Sequence, residues 1–417
     1  MTAENSRAAS LTILLCALAA CFEGVELQVA GVAAAGIIPE FRPDAHQLGI
    51  FFSASTLGLC GGALLGGRLS DLIGRKRVLV ASVAVFGLFS LWAASAATMP
   101  ALIWARLLTG LGLGGAFPIL VALTAESSTA DRRSSNVAFV YAAMPLGGAA
   151  ISLLSMLLTP DHWRQLFVAG GVFPLLVVPV MALYLRESQA FERVAVAAAG
   201  SKPPEAGFLA VLAHGRALRT LLLWTSFFLS LVSLYLLLNW LPTLLLGNGF
   251  DKHQASSAQI AFNFGGAIAA LLMGRLLDGS YRRISTMAVF VALPVSLIYL
   301  ALAPKHSPAI VLIVLVLGIV LLASQVVNYA VAPDCYPTAI RGVGVGTAVA
   351  MGRLGSIAGP VLGAVLVARG QTTSQLLLHL VPVSLVAGIC AVILVWRTAA
   401  HGTQARAVEV PPTSTMH

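Results

Sequence analysis

Residues 11–38 read LTILLCALAACFEGVELQVAGVAAAGII, an apolar stretch in which the only charges are Glu23 and Glu26. A helix rises ~1.5 Å per residue, so the segment from Leu11 to Glu23 covers roughly 18 Å, about half a bilayer. Both acids therefore fall near the midplane, where a charged side chain costs at least ~2.5 kcal/mol. Spaced i, i+3, they project onto one helix face. The uncharged flanks, Leu11 to Cys21 and Val29 to Ile38, make the segment too long for a cleaved leader and mark it as a retained transmembrane helix.

The whole chain follows the same pattern. Its 417 residues are 58% hydrophobic and 10% charged, with a mean hydropathy of +0.91. Soluble domains carry about 25% charged residues, so this composition belongs to a polytopic membrane protein. The net charge of +9 raises nucleic acid as a partner, but the bases lie in loops between apolar runs, where membrane topology accounts for them. Cys16, Cys21, Cys60 and Cys390 lie inside apolar runs, and no disulfide framework or metal spacing is present. No phosphate loop, H-E-x-x-H or G-x-S-x-G occurs, so neither an enzyme nor a cofactor is expected.

Twelve apolar runs are long enough to span, at about 11–38, 47–69, 78–97, 101–125, 136–158, 165–185, 218–246, 254–277, 284–303, 308–332, 342–368 and 375–397. They show no dyad alternation, and backbone groups must be satisfied internally in lipid, so the spans are helices. With the N-terminus inside, eighteen of the 25 Lys and Arg residues fall in inner segments and five (Arg42, Arg164, Lys252, Lys305 and Arg369) in outer loops. That asymmetry predicts both termini in the cytoplasm.

The longest polar segment, at 186–217, contains Gly200-Ser201-Lys202-Pro203-Pro204-Glu205, a linker composition. It separates an N-terminal six-helix half, 1–185, from a C-terminal half, 218–397, followed by a tail at 398–417. The halves repeat. Gly67-Arg68-Leu69-Ser70-Asp71 recurs as Gly274-Arg275-Leu276-Leu277-Asp278, and Glu126 with Arg133 recurs as Asp334 with Arg341. Duplicated halves around a central site are a transporter architecture.

Several in-span polar residues could build that site. Arg353 stands more than ten residues from either end of its span and needs an anionic partner, either an internal acid or a substrate carboxylate gripped by paired hydrogen bonds. Arg106 lies near the outer end of span four, within snorkelling range. A carboxyl group near the midplane is less costly neutral than charged, so Glu23 or Glu26 suits proton coupling; the alternative is an acid pair locked by Arg106 and Arg353. Asn239, Trp240, Asn263, Gln325, Asn328 and Tyr329 add polar and aromatic groups, each of which could equally be packing glue.

The loop Gly67-Arg68-Leu69-Ser70-Asp71-Leu72-Ile73-Gly74-Arg75-Lys76-Arg77 resembles the signature of the major facilitator superfamily, with Leu72 where a base is usual. Arg106 with Gly110 resembles the R-x-x-x-G signature of that superfamily's fourth helix. Glu23-Gly24-Val25-Glu26 resembles the D-G-x-D signature of its aromatic acid:proton symporters, with both aspartates replaced by glutamate. Asn239-Trp240-Leu241-Pro242, Asp334-Cys335-Tyr336-Pro337 and Gly352-Arg353-Leu354-Gly355 look like the same family. Leu27-Gln28-Val29-Ala30-Gly31 and Phe86-Gly87-Leu88-Phe89-Ser90-Leu91 look most like its transporters of 3-(3-hydroxyphenyl)propionate.

The resemblance implies an all-α carrier that takes up an aromatic carboxylate with a proton across the bacterial inner membrane, working as a monomer. Glu23, Glu26 and Arg106 would couple the proton, and Arg353 would hold the carboxylate with Asn239, Trp240, Asn328 and Tyr329 around the ring. Asp71 and Arg75 would gate by holding the halves together, with Glu126, Arg133, Asp334 and Arg341 at the repeated positions. An exporter of drugs or organic anions on the same fold and a transporter-like sensor are the competing readings.

Overall fold

The computed structural model describes residues 3–129, 132–187, 211–213, 215–278, 281–304, 309–337 and 340–408. Each expected span is one helix: α1 (Ala3–Phe41), α2 (Ala45–Ile73), α3 (Arg75–Ala94), α4 (Met99–Glu126), α5 (Arg133–Leu157), α6 (Trp163–Tyr184), α7 (Ala217–Gly247), α8 (Lys252–Asp278), α9 (Arg282–Leu302), α10 (Ile310–Val331), α11 (Arg341–Ala368) and α12 (Thr373–Val408). All twelve carry stretches long and apolar enough to cross a bilayer. Residues 188–210 of the expected linker lie outside the described residues, and α12 runs on to Val408, past the expected limit of its span at 397.

Local chemistry sets the helix starts. Asp44 opens α2 with a capping box: its carboxylate accepts from the Gln47 amide at 2.7 Å, while the Asp44 amide donates to Gln47 Oε1 at 3.2 Å. Asp251 and Gln254 build the same box on α8, 207 residues along, with distances of 2.7 and 3.1 Å. The repeat is therefore written into the capping as well as into the spans.

Packing repeats in the same way. α1 lies on α5 as α7 lies on α11; α2 lies on α4 as α8 lies on α10; α3 lies on α6 as α9 lies on α12. Between the halves α5 meets α8 and α2 meets α11, and α1 faces α7 between these two seams. α1, the helix that carries both acids, thus lies where the halves meet.

A band of side-chain bonds joins the halves on the side of the membrane away from the linker. Gln28 of α1 donates to the Leu238 carbonyl of α7 at 2.8 Å and accepts from Gln259 of α8 at 3.0 Å and, more weakly, from Asn263 at 3.4 Å. Ser53 of α2 donates to the Ile357 carbonyl of α11 at 3.1 Å, and Lys252 reaches the Leu158 carbonyl at the rim. Phe52 packs edge-on against Trp240 across the same seam, with centroids 5.1 Å apart.

Candidate functional site

The two acids of α1 have different surroundings. Glu26 turns toward α4. Arg106 Nη1 donates to Glu26 Oε2 at 2.7 Å, and Nη2 donates to the Glu26 carbonyl at 2.7 Å and to Ser55 Oγ at 3.1 Å. Both side chains are 0% exposed, and the guanidinium lies 5.8 Å from the centroid of the Phe167 ring. Arg106 does not snorkel: its two terminal nitrogens bond three oxygens on α1 and α2 inside, and only its Nε is left without a partner. The site is tight: a methyl at Gly170 of α6 would collide with the other Glu26 oxygen. This is an ion pair that ties α1, α2, α4 and α6 into one body.

Glu23 is 1% exposed, and its Oε2 has no hydrogen-bond partner. Across the seam Arg353 of α11 donates to no carboxylate: among the described residues it has no salt bridge, and its one side-chain hydrogen bond, from Nη1 to the Tyr235 hydroxyl, is long at 3.3 Å. Glu23, Tyr235, Tyr329 and Cys60 lie within electrostatic reach of Arg353, and Tyr141 is coupled to the same Glu23 and Arg353. Aromatic edges steady this group. Tyr329 meets Phe227 at 5.1 Å and 90°, and Tyr141 meets Phe117 at 5.0 Å and 87°. One acid and one base, neither neutralised by direct contact, thus share a cluster of tyrosines drawn from α5, α7 and α10. Gly24 makes the placement possible, since α1 and α5 approach so closely there that a methyl would strike the Met144 carbonyl.

The family model for the Major Facilitator Superfamily matches residues 16–251 and 223–417. The chain belongs to the major facilitator superfamily. It is a multi-pass membrane transporter, and this family is one of carriers rather than enzymes. It is 41% identical to a 3-(3-hydroxyphenyl)propionate transporter of Escherichia coli (strain K12), over 94% of this chain and 96% of that one. A 4-hydroxybenzoate transporter of Pseudomonas putida is 32% identical over 89% and 90%, and a gallate transporter of the same species 31% identical over 86% of each chain. Among solved structures, a D-xylose–proton symporter superposes with a TM-score of 0.69 at 19% identity, covering 93% of this chain and 96% of the other. A bacterial homologue of the lysosomal transporter Spinster, in an inward-facing, unoccupied conformation, gives 0.68 at 16% identity over 94% and 96%. These two show the shared superfamily fold.

Within this superfamily frame the other expected site residues divide sharply. Trp240 is 1% exposed and donates its indole N–H to the Pro360 carbonyl at 3.0 Å; Asn239 donates to the Tyr235 carbonyl of its own helix at 2.9 Å. Asn328 accepts from Ser226 at 2.7 Å and donates to Ser230 at 3.3 Å. All three are engaged in helix packing, whereas Tyr329 stays with Arg353. Tyr141 and Tyr235 were not foreseen, although a phenol buried deep in a span, away from the interfacial belts, is itself a signal.

At the linker face, Arg75 at the start of α3 pairs with Glu126 at the end of α4, and Arg282 at the start of α9 pairs with Asp334 at 2.7 Å. Both bonds lie within a half. Arg282 is thus a partner of Asp334, and Arg133 donates to the Ala125 carbonyl at 3.1 Å. Arg341 opens α11. The side chain of Asp71 lies outside the described residues. Close helix approach does not explain Gly67, which faces open space, but Gly74 is required by its φ of 100°. Beside it the Lys76 amide, in the first turn of α3, donates to Glu187 Oε1 at 3.0 Å.

Proposed function

We propose that this protein carries a hydroxylated aromatic carboxylate, 3-(3-hydroxyphenyl)propionate or a close relative, into the cell together with a proton, across the bacterial inner membrane and as a monomer. The observation that carries this reading is the unneutralised pair Glu23 and Arg353 among tyrosines. A half-buried guanidinium without a carboxylate partner among the described residues suits a carboxylate ligand held by paired, charge-assisted hydrogen bonds. Aromatic edges around it suit a ring. The substrates named for the related transporters share a carboxylate on an aromatic compound and at least one phenolic hydroxyl.

Glu23, without a salt bridge among the described residues, is the group that takes up and releases the proton; Glu26, bonded to Arg106, anchors the helix on which Glu23 stands. The excess of Lys and Arg in the loops supports a cytoplasmic linker and cytoplasmic termini. The Gln28 band then lies toward the periplasm, and the conformation described is sealed to the outside.

Uptake of labelled 3-(3-hydroxyphenyl)propionate into proteoliposomes tests the reading. Accumulation is expected to follow an inward proton gradient and to collapse when an uncoupler is added. Accumulation indifferent to the gradient, or none, overturns symport, and gradient-driven extrusion would assign the protein to the exporters.

A further inference from the structure

Gln325 of α10 plays no part in the cluster described above, and it is the most anomalous polar group in the C-terminal half. It is 6% exposed, yet both its Nε2 and its Oε1 are buried without a hydrogen-bond partner. A buried amide left unpaired is costly on any transfer scale, and a buried polar group without a partner demands an explanation. Asn239, Asn263 and Asn328 all satisfy their amides through neighbouring helices or their own backbone. Gln325 does not.

Its direction follows from its neighbours. Gly318 and Leu322 lie against α8, at Phe262 and Gly266, while Asn328 is bonded to α7 through Ser226 and Ser230. At about 100° per residue, Gln325 points roughly 60° from Leu322 on one side and roughly 60° from Asn328 on the other. It therefore faces the sector between α7 and α8, toward the seam with the other half. Tyr329, one turn on and about 40° away, is the residue of α10 within electrostatic reach of Arg353. The depth agrees as well. Gly24 meets Met144, Pro145 lies near Gly266, and Gly266 meets Leu322, so the turn that carries Gln325 lies beside the layer that holds Glu23.

We propose that Gln325 is the substrate-binding residue that reads the phenolic hydroxyl, with its amide N–H donating to the hydroxyl oxygen and its amide oxygen accepting the hydroxyl proton, while Arg353 holds the carboxylate. This rests on the aromatic-acid reading and adds a specificity-determining contact to it. A primary amide, both donor and acceptor, matches a hydroxyl in both roles. An apolar wall rejects a hydroxylated ring only weakly, whereas a site built to bond the hydroxyl discriminates strongly against a ring that lacks it.

The test measures binding of 3-(3-hydroxyphenyl)propionate and of 3-phenylpropionate to the full-length protein in nanodiscs, for wild type, Gln325→Leu and Gln325→Met. Wild type is expected to prefer the hydroxylated acid. Both variants should lose that preference by about tenfold or more while binding 3-phenylpropionate within about twofold of wild type. Their unliganded melting temperatures should hold or rise, because an unpaired buried amide has been replaced by an apolar group. Equal loss of both acids, an unchanged preference, or a lowered melting temperature in both variants overturns the assignment. A wild type that binds neither acid instead overturns the aromatic-acid reading, and this proposal with it.

Discussion

Two acid–arginine pairs flank one turn of α1, and they differ in almost everything except composition. Glu26 and Arg106 are in contact at 2.7 Å and fully buried, with further bonds to a backbone carbonyl and to Ser55. Glu23 is buried and Arg353 half-buried, but they act on each other only through the field, and the guanidinium has one long bond to a tyrosine. The first pair lies within a half and the second spans the seam between halves. A charge pair inside a rigid body can be closed permanently. One that spans a moving boundary has to remain available for a ligand or a proton.

The contrast breaks most visibly at the closed pair. Replacing Arg106 with Leu leaves Glu26 buried and uncompensated, which should destabilise the protein by ~3–5 kcal/mol. The expected outcome is a large fall in melting temperature or loss of folded protein, read by fluorescence-detected size exclusion. The double variant Glu26→Leu/Arg106→Leu should recover most of that stability, since an apolar pair can replace a buried ion pair. If the double variant is as unstable as the single, the anchoring role fails.

At the open pair the effect moves from stability to transport. Glu23→Gln is expected to abolish proton-driven accumulation while leaving substrate exchange across the membrane and the melting temperature near wild type. Retained accumulation would remove Glu23 from the coupling step. Arg353→Lys keeps the charge but loses the planar fork, so the apparent affinity should weaken about tenfold, ~1.4 kcal/mol, at an unchanged protein level. An unaltered affinity argues against the carboxylate clamp.

The smallest effects belong to the repeated pairs at the linker face. Arg75, Glu126, Arg282 and Asp334 are 26–44% exposed, so each bond contributes about 0.2–1 kcal/mol. Alanine at Arg75 or Arg282 should lower stability by less than about 1 kcal/mol, with the loss shrinking as salt is raised. A salt-independent drop would mean that these residues do more than pair.

The twelve helices were legible because each apolar run is long enough to cross a bilayer and hold its own backbone bonds. The repeat was legible because charged residues recur at nearly one offset, 207 or 208 residues. The offset that links Gly67 to Gly274 and Asp71 to Asp278, 207 residues, also carries Arg75 onto Arg282, so the Arg75–Glu126 bond has its counterpart in Arg282–Asp334. The site was half legible. Glu23 and Arg353 stand out as charges in lipid, but which acid meets which arginine depends on helix packing that no local pattern encodes. Asn239, Trp240 and Asn328 resembled ligand contacts for the same reason that they are packing residues, namely that a polar group inside an apolar helix needs a partner nearby. Tyr141 and Tyr235 were missed because a phenol is counted with the hydrophobic residues in the composition and does not interrupt an apolar run as a charge does.

The band formed by Gln28, Gln259, Asn263 and the Leu238 carbonyl has a consequence for the conditions under which the carrier works. Its buried members are neutral amides. None titrates, and none belongs to an ion pair that dissolved salt could weaken. Where these amides hold it, the door on that side of the membrane should open with the same ease in acid or in brine, Lys252 at the rim being the one charged group of the band. If Glu23 carries the proton as proposed, a carrier latched in this way keeps its entry step constant and leaves only the driving force to vary.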